Sequence, residues 1–267
     1  MLTFLKLGGS LITEKNQPHV HRPEVLARLA DEIASARTEQ PDHKLLLGHG
    51  SGSFGHAEAH KHGTRSGVRT PGEWLGFAEV WAAASELNVL VTRALREAGL
   101  PVIGFQPSAS ARARGGRLIE LAVEPILAAL DHDLTPLVHG DVALDDAFGG
   151  TIISTEDIFL FLARHLHPAR ILLAGVESGV YSDYPAGRTV IPEITPANFE
   201  ALRPALLGSA STDVTGGMAT KVGKMLELCT RWPGLEVRIF SGLEPGNLRA
   251  ALAGAPLGTG VIHSSVC

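Results

Sequence analysis

Leu45-Leu46-Leu47-Gly48-His49-Gly50-Ser51-Gly52-Ser53-Phe54-Gly55-His56 decides how this chain folds. Three consecutive leucines describe a strand buried on both faces, as in a parallel sheet, and the glycine-rich run after them ends it. A strand that breaks into glycines ahead of a helix exposes backbone N–H groups where the helix dipole favours phosphate oxygens. The same device recurs upstream, where Leu2 to Leu7 reads as a strand running into Gly8-Gly9-Ser10, and downstream, where Thr215-Gly216-Gly217 precedes a helix. A lone glycine pair is as readily a tight turn. Three such junctions with lysines nearby point to several phosphates.

Outward from that core the pattern alternates. Apolar spacing at Val25, Leu26, Leu29 and Ile33 after Arg22-Pro23 predicts a helix to about Thr38. A long helix is expected from Pro71 to Ala98, stopped by Gly99 and Pro101. Strands are expected at Val102 to Phe105, Pro136 to His139, Ile171 to Ala174, Val237 to Phe240 and Gly260 to His263, with helices near Val123 to Leu130, Ser154 to His165 and Thr215 to Trp232. Alternation of this kind indicates a mostly parallel α/β sheet. The Pro-, Gly- and Ser-rich stretch 181–211 reads as an irregular, mobile edge, and a soft boundary between lobes is expected near residue 170.

The 267 residues, 45% hydrophobic and 19% charged, suffice for a full core, and a formal charge of −5 gives no basic field for nucleic acid. Two cysteines, no signal-peptide layout at Met1 to Lys6 and no apolar run of bilayer length lead to the expectation of a cytoplasmic protein with no membrane partner.

Gly50-x-Gly52-x-x-Gly55 matches a dinucleotide-binding fingerprint, but Glu73 opens a helix where that reading needs an acidic residue at the end of a second strand. A Walker loop is absent, so a kinase reading is not a P-loop one. Lys6 sits within an otherwise apolar strand, Lys15 comes after the first glycine pair, and Lys221 lies four residues past Gly217. Phosphoryl transfer calls for cations around the moving group. Solvated surface charge is the alternative for each lysine, plausible for Lys15 and poor for Lys6. His56 closes the glycine run and can donate to an anionic oxygen. Its i, i+4 spacing to His60 lacks the remaining ligands of a metal site.

Lys6-Leu7-Gly8-Gly9-Ser10 with Lys15, then Gly52-Ser53-Phe54-Gly55-His56, Gly140-Asp141-Val142, and Asp213-Val214-Thr215-Gly216-Gly217-Met218 with Lys221 together resemble isopentenyl phosphate kinases of the amino acid kinase superfamily. The resemblance covers essentially the whole chain. It implies an open αβα sandwich, with residues 1–170 forming an N-terminal acceptor-binding lobe and 171–267 a C-terminal ATP-binding lobe of one continuous domain. It further implies transfer of phosphate from ATP, with Mg2+, to isopentenyl phosphate, a place in isoprenoid biosynthesis by an alternate mevalonate-type route, and a homodimer.

Carried over by motif, Lys6, Lys15 and His56 would be catalytic. Lys6, Gly8, Gly9, Ser10, Gly52, Asp213, Thr215, Gly217 and Lys221 would face ATP. Ser51, Gly55, His56, Phe77, Val80 and Thr155 would face the acceptor, Phe77 and Val80 forming an apolar slot beside Ile152 and Ile153. The chain departs from the family at Ser51, usually glycine, where strain is expected if the position needs a positive φ. It departs again at Ser154-Thr155-Glu156-Asp157, where Thr155 replaces a glycine facing the acceptor, and at Gly175-Val176-Glu177-Ser178-Gly179 on the nucleotide side. A fosfomycin-type or amino acid kinase, or a non-catalytic nucleotide- or oxyanion-binding protein on the same scaffold, are the rival readings.

Overall fold

The computed structural model describes residues 1–183, 186–207 and 217–263. The chain begins with β1 (Leu2–Leu7), a single helical turn α1 (Gly9–Ile12), α2 (Pro23–Glu39), β2 (Lys44–His49) and α3 (Gly52–His62). The middle of the chain forms α4 (Pro71–Glu97), β3 (Val102–Gly104), β4 (Arg112–Arg114), β5 (Arg117–Glu120), α5 (Glu124–Asp131), β6 (Thr135–His139), β7 (Asp141–Asp145) and β8 (Gly149–Ile153). The remainder comprises α6 (Thr155–Leu166), β9 (Arg170–Gly175), β10 (Glu193–Ile194), α7 (Pro196–Leu207), α8 (Gly217–Arg231), β11 (Glu236–Ser241), α9 (Asn247–Leu252) and β12 (Thr259–Val261).

An eight-stranded sheet runs in the order β10-β12-β11-β9-β1-β2-β6-β3, parallel except for the β11–β12 pair. Alternate strand residues feed two cores. Phe4, Leu46, Val138 and Ile171 pack under α6 and α8 with Phe159, Val222 and Met225, while Leu5, Leu45, Leu47 and Leu172 pack under α2, α4 and α9 with Leu29, Ile33, Leu87 and Leu248. Two helical layers on a continuous sheet make an αβα sandwich, and truncating any such buried leucine to alanine costs about 2–5 kcal/mol. Strand order turns back at β1, with β2 on one side and β9 on the other. Ligands of open α/β sheets bind outside the carboxyl ends of the strands at such a switch point.

Local chemistry explains the long helix α4: Thr70 Oγ1 accepts from Glu73 N, Glu73 returns a carboxylate to Thr70 N, Pro71 opens the first turn, and Gly99 with φ +87° lies just past its end. Three regions differ from the expectation. Residues 52–62 form a helix, and 141–153 a β-hairpin that joins β4 and β5 in a separate four-stranded sheet. The stretch 181–211, expected to be irregular, contains β10 and the helix α7.

Candidate active site

The switch point opens into a cavity of about 590 Å3 on which the N-termini of α1, α3, α6 and α8 converge, through Gly9 and Ser10, Ser51 and Gly52, Thr155 and Glu156, and Gly217 and Met218. The glycine junctions interlock backbone on backbone. A Cβ on Gly8 would sit 2.9 Å from Ala174 O, one on Gly9 would sit 2.5 Å from Gly52 N, and one on Gly50 would sit 2.8 Å from Gly9 N. Thr13 fastens the two loops, donating to Gly9 O at 2.8 Å and accepting from Ser53 N at 3.0 Å. Its hydroxyl occupies the space where Gly52, at φ +51°, would carry a side chain. These glycines are therefore required by close packing, and the packing aims the loop edges at one space.

At the centre, Lys6 Nζ lies 2.6 Å from Glu156 Oε1, with side-chain exposures of 11% and 7%, and Lys221 Nζ approaches the same oxygen to 3.8 Å. Burial by itself would raise the Glu156 carboxyl. The Lys6 and Lys221 charges outweigh it and hold the group down at about 2, so the carboxylate is ionised at neutral pH. Glu156 stands in the first turn of α6, whose capping box joins Ser154 to Asp157. Asp157 in turn pairs with Lys224, one turn beyond Lys221 on α8. Exposed Lys15 and His60 and half-buried His56 and Arg65 add to the basic lining.

Beyond the charged centre the wall turns apolar, with Ala59, Val80, Ala84 and Ile152 lining it. Val80, expected to face the acceptor, lines this wall. Phe77 does not: it lies behind the wall, packed on the cluster of Ala59, Val80 and Val142 and against Gly150, where a Cβ would come within 2.8 Å of its ring. Trp74 meets that ring edge-on at 5.3 Å.

Ser51 carries no strain, because its φ is −73° and the positive φ belongs to Gly52. Its side chain lies over Gly55, where a Cβ would come within 2.5 Å of Ser51 Cβ. Thr155 lines the cavity but turns its hydroxyl into the sheet, donating to His49 O at 2.6 Å, so the group expected to face the acceptor is already engaged.

At the opposite end Gly8, Gly9, Ser10, Gly217 and Lys221 meet an apolar niche of Val176, Val180, Leu206, Met218 and Ile239, with Glu177 at its rim. Asp213 and Thr215 lie outside the described residues. Sequence reasoning misses Thr13 and Glu156. Thr13 is the extended C-cap residue of the single turn α1, bridged to His21, with no motif around it. Glu156 meets a lysine 150 positions away, and no local spacing announces that contact.

A model of the amino acid kinase family matches residues 1–241. The chain is 34% identical to isopentenyl phosphate kinase of Methanocaldococcus jannaschii, covering 99% of this chain and 100% of that one. It is 38% identical to isopentenyl phosphate kinase of Haloferax volcanii, over 97% of each chain. X-ray structures of an isopentenyl phosphate kinase superpose with a TM-score of 0.82 at 29% identity, covering 97% of this chain and 99% of theirs.

Proposed function

The chain belongs to the amino acid kinase family and is a phosphotransferase, and from that premise we propose that it transfers the γ-phosphoryl group of ATP to isopentenyl phosphate, giving isopentenyl diphosphate and ADP. The observation that carries the acceptor is the two-part cavity. Converging helix N-termini and lysines suit phosphates, and the adjoining wall of Ala59, Val80, Ala84 and Ile152 suits a short hydrocarbon tail. A polar acceptor such as fosfomycin or an amino acid would leave its own polar groups facing that wall without partners.

The acceptor needs no general base. Its phosphate monoester has a second pKa of about 6 and is largely dianionic at neutral pH. An oxygen of that group attacks the γ-phosphorus in line, the bond to the β–γ bridging oxygen breaks, and ADP leaves with the bonding pair. In a loose transition state charge spreads over the equatorial oxygens, where Lys6, Lys15 and Lys221 stabilise it. His56 donates to the acceptor's phosphate, and Glu156 holds Lys6 and Lys221 in place.

Among the described residues, the carboxylates of the lining are Asp141, Glu156 and Glu177, and Glu156 is committed to lysines. That donor set fits a magnesium ion brought in with the nucleotide, which Asp141 or Glu177 would help to hold. The ion would supply positive charge that offsets the charge of the phosphates during transfer.

An ADP-release assay over a panel of acceptors tests the assignment. Isopentenyl phosphate is expected to be turned over, with dimethylallyl phosphate beside it. Turnover of fosfomycin, glutamate or acetylglutamate without isopentenyl phosphate would overturn it. In the same assay His56→Ala is expected to raise the acceptor KM about 10- to 100-fold, the worth of one hydrogen bond to a charged group, with the ATP KM little changed.

A homodimer accompanies this reading. The outer face of α4 exposes Leu75, Trp81 and Val89, and neighbouring β3 is an edge strand with Ile103 exposed. A second copy of the chain covers such a face by two-fold symmetry. Trp81→Glu is expected to shift the light-scattering mass from dimer to monomer. A wild type that is monomeric at micromolar concentration would contradict the assignment. No helix among the described residues is long and apolar enough to cross a membrane.

A further inference from the structure

The carboxyl ends of β2 and β6 each carry a histidine, His49 and His139, paired in register across the two strands. Both are fully buried, and their rings stack at 5.2 Å with planes 6° apart. Neither has a part in the transfer scheme above. His49 Nδ1 lies 3.1 Å from Gly50 O, and Nε2 lies 3.1 Å from Asn88 Oδ1.

A carbonyl oxygen only accepts, so Nδ1 carries a proton. Burial, reinforced by neighbouring His139, pushes the imidazole down to about 3, so the ring is neutral and Nε2 is the acceptor. With the proton assigned to Nδ1, Nε2 needs a donor, so the Asn88 carboxamide is assigned the orientation rotated by a half-turn about its C–C bond, with NH2 in place of Oδ1 towards the ring. The backbone of His49 is held as firmly as its ring: its carbonyl accepts from Thr155 Oγ1 at 2.6 Å and from Gly140 N at 3.2 Å.

Immediately after His49 the chain enters the phosphate loop. Gly50 N donates to Leu7 O at 3.0 Å, and Gly50 packs so closely on Gly9 that a Cβ on it would come within 2.8 Å of Gly9 N. On α4, Asn88 lies one turn past Ala84 and two past Val80, the residues that line the apolar slot. The face of α4 that contacts the hydrocarbon tail thus continues into the side chain that fixes the His49 ring.

We propose that His49 is a positioning residue for the acceptor's phosphate: its Nδ1–H orients the Gly50 peptide so that the succeeding N–H groups at the mouth of α3 face the cavity, and Asn88 ties that orientation to the acceptor helix. The inference deepens the acceptor assignment above and rests on it.

Two variants separate positioning from packing. His49→Asn places an amide nitrogen near the Nδ1 position, within reach of Gly50 O, whereas His49→Gln places one near Nε2 and leaves Gly50 O without its donor. Both lose the stacked ring, so their melting temperatures are expected to fall by similar amounts. The acceptor KM of His49→Gln is expected to exceed that of His49→Asn by about 10-fold, with the ATP KM of the two within about 3-fold, on the scale of one hydrogen bond to a positioned peptide. Hydrogen exchange of the amides of residues 51–55 is expected to be faster in His49→Gln.

Equal acceptor KM values and equal exchange in the two variants would overturn the role of His49. A wild type inert towards isopentenyl phosphate would instead remove the acceptor assignment, and the exchange comparison would still decide whether His49 orders the loop.

Discussion

Lys6→Met is expected to lower kcat by about 10^2- to 10^3-fold, the loss seen when one preorganised donor to a developing charge is removed. Lys6 extends from the central strand β1 into the switch-point cavity, and its ammonium group is positioned by Glu156. Methionine keeps the apolar stem, so packing in β1 changes little, and Glu156 keeps Lys221, at 3.8 Å, as a counter-charge. The acceptor KM is expected to move far less than kcat, because Lys6 acts on charge that grows during transfer. The decisive measurement is kcat at saturating ATP and isopentenyl phosphate, on protein whose thermal transition shows it folded. A variant within 10-fold of wild type would take Lys6 out of the transfer step.

The second large effect falls on Glu156. Glu156→Gln removes the carboxylate 2.6 Å from the buried Lys6 ammonium, and breaking a buried pair in this way costs about 3–5 kcal/mol. The pH dependence carries its own sign. With the carboxyl held at about 2 against an ordinary 4.5, the folded state favours the ionised form. Its contribution is complete above pH 4.5 and is lost as pH falls towards 2. The displacement corresponds to about 3 kcal/mol, in line with the pair-breaking figure.

Urea unfolding between pH 6 and pH 3 is therefore expected to show a steeper loss of stability in wild type than in Glu156→Gln. Identical slopes would mean that Glu156 is not held ionised by the two lysines. The same variant is expected to lower kcat by about 10-fold or more through misplacement of Lys6 and Lys221.

Much of the frame was legible because strong local signals agree with the tertiary structure. Phe4-Leu5 and Leu45-Leu46-Leu47 read as strands buried on both faces, and the sheet uses both faces. The start of α4 is dictated by Thr70, Pro71 and Glu73. Helix α3 was not legible. Its glycines and histidines give little helical period, and its first turn is secured from outside by Thr13 and by burial of Phe54. The hairpin β7–β8 was missed for a similar reason: Asp145 accepts from the N–H groups of Gly115, Gly116, Ala147 and Phe148, drawing two distant turns onto one carboxylate.

Within the site, the lysines and the glycine junctions were legible as candidates in the sequence by itself, because phosphate chemistry restricts residue type and the strand-glycine-helix order is local, whereas Val80 rested on the family resemblance. Only the tertiary structure decided how they meet. It placed Phe77 behind the slot, turned the Thr155 hydroxyl onto His49, left Ser51 unstrained by assigning the positive φ to Gly52, and set Glu156 between Lys6 and Lys221. Each of these depends on strand register and helix rotation between segments far apart in the chain. Those are set by how two cores pack on opposite faces of one sheet, which no window of neighbouring residues encodes.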